Sequence, residues 1–267
     1  MQRNIRLIIA YDGTAFHGWQ HQPGQRTVQG ALTDVARRVL GHPVTIRGSG
    51  RTDAGVHAAG QVANFRTTHT MPTANIAQAI GSRLPRDMAI VDACAVHPDF
   101  DAVGSSVSKL YRYRIYNATS RPVERHVQRY VYHCWDRLDA ARMRDAARHF
   151  VGEMDYSAMA SSGCRRESMV RRVLRCSAYR HLNEVRIDVE GTGFLYHQVR
   201  NMAGTLIEIG RGRWQPDDLA GILASCDRRQ AGPTAPAQGL CLRWVRYPAA
   251  VLGVERDVIL ANGPAPR

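Results

Sequence analysis

The sequence predicts an α+β fold: two ferredoxin-like subdomains with a joined, mainly antiparallel sheet and a basic cleft between them. Three observations lead there. With 267 residues, 44% of them apolar, the chain can bury the core of one large domain or two smaller ones. Residues 1–107 alternate strand and helix periodicities in the order β-α-β-β-α-β, that of a ferredoxin-like unit. Residues 108–247 follow the same scheme loosely, without enough identity between the halves to define a repeat.

In the first subdomain, Arg3–Tyr11 reads as a strand with Ile5, Leu7 and Ile9 on one face. The turn-rich segment to Arg26 carries Gly13, Gly18, Pro23 and Gly24, with Phe16 and Trp19 as its large apolar anchors. Thr27 is placed as an N-cap, Val28, Ala31, Leu32, Val35, Ala36 and Val39 fall at helical spacing, and Gly41 stops the helix. Val44–Arg47 and Gln61–Phe65 read as strands on either side of a glycine-rich loop. Thr73 is expected to cap a helix to Leu84, closed by Pro85, and Met88–Val96 is a further strand. The loop-like segment 97–107 ends the subdomain.

The second subdomain opens with a strand over Ser108–Asn117, with Tyr111, Tyr113 and Ile115 on one face and Arg112, Arg114 and Tyr116 on the other. A strand over Arg129–His133 follows, then a helix from the cap Asp139 to about Val151. Val170–Arg180 and Glu184–Glu190 form a hairpin whose Val185, Ile187 and Val189 face inward. Helices from Tyr196 to Ile209 and near Asp217–Ala224 precede a last strand, Leu240–Val245. The tail 248–267 is expected to be peripheral.

Net charge is +13, with a pI near 10.1, which points to a polyanionic partner such as nucleic acid. Only Lys109 among the 36 basic residues is lysine, a ratio that genomic base composition accounts for as well as function does. The six cysteines include no Cys-x-x-Cys pair and no clustered histidine partners, so zinc and thioredoxin-like chemistry are not expected and the cysteines read as buried small hydrophobes. No apolar run is long enough to cross a bilayer, and the N-terminus leads straight into a strand, so a cytoplasmic protein is expected.

The stretch Gly48-Ser49-Gly50-Arg51-Thr52-Asp53-Ala54-Gly55-Val56-His57 concentrates backbone freedom around one cation, one hydroxyl and one carboxylate. Arg51, two residues before Asp53, could hold its carboxylate ionised, which suits a nucleophile or general base. A glycine-rich turn whose Asp bonds its own backbone would need the same residues. The company decides between them. Tyr11 to Gln22 (Tyr-Asp-Gly-Thr-Ala-Phe-His-Gly-Trp-Gln-His-Gln), Thr27-Val28-Gln29, this loop, Lys109 to Arg114, and Gly193 to Met202 together resemble the TruA-type tRNA pseudouridine synthases, in that family's order from residue 4 to about 247.

The resemblance implies a tRNA uridine isomerase acting in the anticodon arm, nominally at tRNA positions 38 to 40, as a homodimer with one tRNA bridging both subunits. It makes Asp53 the catalytic aspartate, Tyr111 the tyrosine that stacks on uracil, and Arg200 the basic residue that pairs with the aspartate. Arg51 would orient Asp53, or fill the space a flipped base leaves and bind its phosphate. Read without the resemblance, Tyr111 packs in a core face and Arg200 is a solvated helix arginine. His57 is expected to stabilise the loop or touch RNA. Breaking a glycosidic bond, turning the uracil and rejoining it through carbon five calls for no cofactor and no metal.

The chain departs from the family pattern at Ala102-Val103-Gly104, at Met154-Asp155-Tyr156 and at Ala237. None of these removes a pocket group, but a lost arginine near 103 bears on substrate range. Arg37-Arg38, Arg165-Arg166, Arg171-Arg172, Arg211 with Arg213, and Arg228-Arg229 could together seat phosphates. The rival readings are a non-catalytic RNA-binding or RNA-chaperone protein and a metal-dependent nuclease. The first leaves the Arg51, Asp53, Tyr111 and Arg200 set unexplained. The second would cluster several acids, where the motif has Asp53 alone.

Overall fold

The computed structural model describes residues 2–164, 167–252 and, as backbone, 258–260. Arg165-Arg166 and tail residues 253–257 and 261–267 lie outside the described residues. The chain divides into two compact units, one of Met1–Lys109 with Leu242–Arg267 and one of Leu110–Cys241.

The first unit contains β1 (Arg3–Tyr11), α1 (Val28–Leu40), β2 (Arg47–Gly48), β3 (His57–Thr67), α2 (Thr73–Gly81) and β4 (Met88–Val96). β1 lies between β3 and β4 and pairs antiparallel with both, from Arg3↔Thr67 and from Asn4↔Val96. A central strand is covered on both faces, so Asn4 to Ile9 are all buried where the sequence assigned Ile5, Leu7 and Ile9 to a single buried face. Asn4 is satisfied there by donating to the Phe100 carbonyl at 2.8 Å. β3 likewise is buried on both faces over Gln61–Phe65 and does not alternate.

The Thr27 hydroxyl caps α1 by accepting the Gly30 N–H, and Gly41 ends the helix in the left-handed region at φ 70°. Two boundaries differ from expectation. α2 is preceded by Pro72, has no side-chain cap from Thr73, and ends at Gly81; residues 82–84 continue only as turns, Leu84 N–H bonding the Ile80 carbonyl. The strand expected at Val44–Arg47 shrinks to Arg47–Gly48, paired with Asn64 and Ala63. Val44 and Ile46 plug the core without ladder bonds, so apolar spacing there reported burial and not strand pairing.

The second unit carries most of β5 (Ser108–Tyr116), then α3 (Arg125–Gln128), β6 (Tyr132–His133), α4 (Ala140–Ala147), β7 (Gly152–Asp155), β8 (Val170–His181), β9 (Glu184–Gly191), α5 (Gln198–Gly210) and α6 (Asp218–Ala224). The strand order is β5-β9-β8-β7, antiparallel from β9 to β7, with β6 parallel to β5. Where a strand was expected at Arg129–His133, residues 129–131 form a turn and irregular chain after the one-turn α3, and only Tyr132–His133 pair, as β6. The four-residue β7 was not expected, being too short to show a period. Asp139 caps α4 through the Ala141 and Arg142 N–H groups, as its position suggested. Val185, Ile187 and Val189 are fully buried, and the β8–β9 turn passes through Leu182 at φ 52°. The opposite face of β5 and β9 is charged: Arg112 grips Asp188 through two hydrogen bonds of 2.7 Å, while Arg114 and Arg186 share Glu184.

β10 (Leu240–Tyr247) begins as the second unit ends and gives the first unit its last long strand. It is followed by α7 (Ala249–Leu252) and by β11 (Val258–Leu260), which pairs with Val245–Tyr247. The fold is thus mixed α+β and mostly antiparallel.

The cysteine reading needs correction: Cys134 and Cys176 are buried, Cys94, Cys164 and Cys241 are partly exposed, and Cys226 is exposed. Burial pushes the Cys134 and Cys176 thiols up, which keeps them as weakly reactive thiols.

Candidate active site

Asp53 sits on the loop between β2 and β3, half-buried, and closes a turn in which the Val56 N–H bonds the Asp53 carbonyl at 3.1 Å. Gly55 takes φ 78° inside that turn, a conformation a side chain would strain. The segment from Tyr11 to Trp19 supplies most of the loop's support. The Tyr11 and Thr52 hydroxyls share a buried hydrogen bond of 2.8 Å, and the Trp19 N–H bonds the Thr52 carbonyl at 3.0 Å. The Gly55 N–H reaches the Phe16 carbonyl at 3.3 Å. The Trp19 ring lies where a Cβ on Gly48 would come within 2.3 Å of it, so this glycine is needed for close approach.

His57 is 2% exposed, and its Nδ1 accepts the Gly13 N–H at 3.0 Å. Of its two expected roles, burial leaves the stabilising one. The Asp12 carboxylate lies 3.3 Å from the same nitrogen.

Arg51 does not pair with Asp53. Its side chain is exposed and makes no hydrogen bond or ion pair among the described residues. The arrangement in which it holds the carboxylate is therefore not the one seen, and its guanidinium is available to an anion.

Tyr111 and Arg200 belong to the second unit. The Tyr111 ring, 7% exposed, meets Phe194 edge-on with centroids 5.4 Å apart. Tyr113 is fully buried and donates to the Pro236 carbonyl at 2.8 Å, which matches its assignment to the core. Arg200 is the one residue of α5 that is not buried. Its Nε donates to the Ala235 carbonyl at 2.8 Å, and the Ala235 N–H bonds back to the Arg200 carbonyl at 3.1 Å. The 232–235 segment comes this close because Gly204 offers no Cβ, which would otherwise lie 1.7 Å from the Pro233 oxygen. A solvated arginine would have no such seat.

Two supporting parts were not foreseen: the Phe194 edge on Tyr111 and the Ala235 clamp on Arg200. Phe194 lies inside the Gly193–Met202 motif, so a signal was present. The Ala235 contact is made by backbone, which leaves no side-chain signature. Several arginines proposed for phosphate contact are engaged internally. Arg211 and Arg213 both pair with Glu208, Arg229 pairs with Asp227, and Arg228 donates to Asn201 and Thr234. Arg37 and Arg38 are exposed on the last turn of α1. Among the described residues, no group of three or more His, Cys, Asp or Glu could hold a metal ion, and no helix is long and apolar enough to cross a membrane.

The sequence model of a tRNA pseudouridine synthase family matches residues 7–103 and 146–248. The chain belongs to that family. It is therefore an isomerase of the pseudouridine synthase kind. The relatives of this synthase include the tRNA pseudouridine synthase A of Caldicellulosiruptor saccharolyticus, 44% identical over 92% of this chain and all of that one. The proteins of the same name from Geotalea uraniireducens and Pelobacter propionicus are 45% and 43% identical, each over 92% of this chain and 100% of its own length. A solved dye-decolorizing protein from V. cholerae superposes with a TM-score of 0.20 at 12% identity, over 83% of this chain and 88% of that one, too little to bear on the fold of the synthase.

Proposed function

We propose that this synthase converts uridine to pseudouridine in the anticodon stem-loop of tRNA, at positions 38, 39 and/or 40, with Asp53 as the nucleophile or base and no cofactor. The observation that carries the reading is the loop around Asp53. Tyr11, Phe16, Trp19 and His57 are all buried and all bond or pack to hold one half-buried carboxylate and one exposed arginine in place. A turn with only a structural task would not need that support.

The chemistry follows from the groups. The target base leaves its stack at a cost of a few kcal/mol, and Arg51, exposed beside Asp53, is placed to take its phosphate and the space it vacates. The Asp53 carboxylate attacks the nucleotide or removes a proton so that the bond from N1 to the sugar carbon breaks. The uracil turns, carbon five joins the sugar, and the carbon-five proton is lost. Tyr111 stacks on the free uracil, an interaction worth about 1–3 kcal/mol, and keeps it from diffusing away. Arg200, held at its Nε by Ala235, is the basic residue that the family resemblance assigns to stabilise the charge of the aspartate. In this reading two copies of the chain share one tRNA, and the enzyme works in the cytoplasm. Phosphate contacts dominate affinity, so binding is salt-sensitive.

The test is incubation of purified protein with unmodified tRNA bearing uridines in the anticodon arm, with and without chelator. Pseudouridine is mapped by chemical labelling and primer extension. Product at positions 38 to 40 with wild type and none with Asp53→Asn is the expected outcome. Tight binding without product would support the RNA-binding alternative, and loss of activity in chelator would count against a metal-free carboxylate mechanism.

A further inference from the structure

The chain contains one lysine, Lys109, and its ammonium lies against the arm of the loop that leads to Asp53. The side chain is only 9% exposed, and a charge so far removed from water needs polar partners. Nζ donates to the Ser49 carbonyl at 2.6 Å, and a Cβ built on Gly50 would be 3.4 Å from it. From the other side, β3 holds the same two residues: the Ser49 N–H bonds the Val62 carbonyl at 2.7 Å, and Gln61 donates to the Gly50 carbonyl at 2.8 Å. The residues just before Arg51 are thus fixed between a strand and a compact cation. Every other Lys/Arg position is arginine, so this buried cation against the Ser49 carbonyl is the chain's single use of a lysine ammonium.

We propose that Lys109 is a positioning residue for the isomerisation: its ammonium sets the Gly48-Ser49-Gly50 arm so that Arg51 and Asp53 meet the uridine in one geometry. The inference rests on the reading of Asp53 as the catalytic carboxylate. Misplacement of a reacting group by about 1 Å costs on the order of a hundredfold in rate.

The experiment compares wild type, Lys109→Gln and Lys109→Arg by single-turnover release of tritium from carbon five of labelled tRNA, beside tRNA affinity and thermal melting. The expected result is a rate at least about tenfold lower for Lys109→Gln with affinity nearly unchanged, and recovery of most of the rate by Lys109→Arg. A wild-type rate per folded molecule, or rate and affinity falling in parallel, overturns the proposal. Should Lys109→Gln not fold, reductive methylation with ¹³C decides, because the other amine is the N-terminus. The Lys109 methyl signal of otherwise unmutated protein should shift with tRNA carrying the target uridines and not with the same tRNA carrying cytidines; equal shifts, or none, overturn the proposal. Absence of product from wild type would instead overturn the reading of the site.

Discussion

Gly18 packs against Thr52 so closely that a Cβ on it would lie 2.6 Å from the Thr52 carbonyl oxygen. Gly18 also takes φ 85°, so a side chain there is resisted twice, by its own backbone and by the loop it supports. Gly18→Ala should destabilise the protein by roughly 2–4 kcal/mol and lower the melting temperature by several degrees. Calorimetry checks the first effect; pseudouridine formation by the folded fraction should fall as well, because the displaced residues adjoin Asp53.

The Tyr11–Thr52 hydroxyl pair is a second brace on the same loop, with both residues buried. Tyr11→Phe leaves the Thr52 hydroxyl short of a partner and should cost about 1–3 kcal/mol. A double-mutant cycle with Thr52→Val should return a coupling of about 1 kcal/mol. Independent effects would show that the bond is not maintained in solution.

Arg112 and Asp188 form a two-bonded ion pair in the second unit, and Asp188 is 5% exposed. Removing the cation alone strands a buried carboxylate, so Arg112→Met should cost about 3–5 kcal/mol in chemical denaturation. Replacing both partners, as Arg112→Met with Asp188→Leu, should recover most of that loss.

Glu184 sets a pH dependence. Burial acts to raise its pKa, but hydrogen bonds from Arg114 and Arg186 outweigh burial and hold the carboxyl below its ordinary value of 4.5. A carboxyl depressed in the folded state contributes stability that is fully present above the unfolded pKa and is lost as pH falls through the folded one. Acid titration of wild type should therefore show stability falling below about pH 4.5, and Arg114→Met should flatten that part of the curve.

Arg200→Ala should lower turnover more than tRNA affinity, because the guanidinium is seated by Ala235 and not spread over the surface. Parallel measurement of single-turnover rate and binding decides. Equal losses would make Arg200 an RNA contact only.

Much of the fold was legible where one physical signal governed it. Thr27 and Gly41 bound α1 because cap chemistry is local, and Asp139 marks α4 for the same reason. Val44–Ile46 misled because a buried apolar residue looks the same whether or not its backbone pairs. Thr73 misled because Pro72 already ends the preceding extended chain and leaves the cap position without a side-chain acceptor. At the site, Asp53 and Arg51 stood out in the sequence, but their mutual pairing was inferred from spacing alone, which does not fix where two side chains on a turn go. The clamp on Arg200 was invisible because its acceptor is a main-chain carbonyl.

The first unit draws a strand from the far end of the chain, Leu242–Tyr247, while the second unit is one continuous run from Leu110 to Cys241. On the ribosome the unit that begins first therefore finishes last. The middle of the chain is all synthesised while the nascent N-terminal unit still lacks an element of its sheet and waits for the codons of Leu242–Tyr247. A message truncated before residue 242 would not shorten a tail; it would leave the Asp53 loop's own unit incomplete from birth.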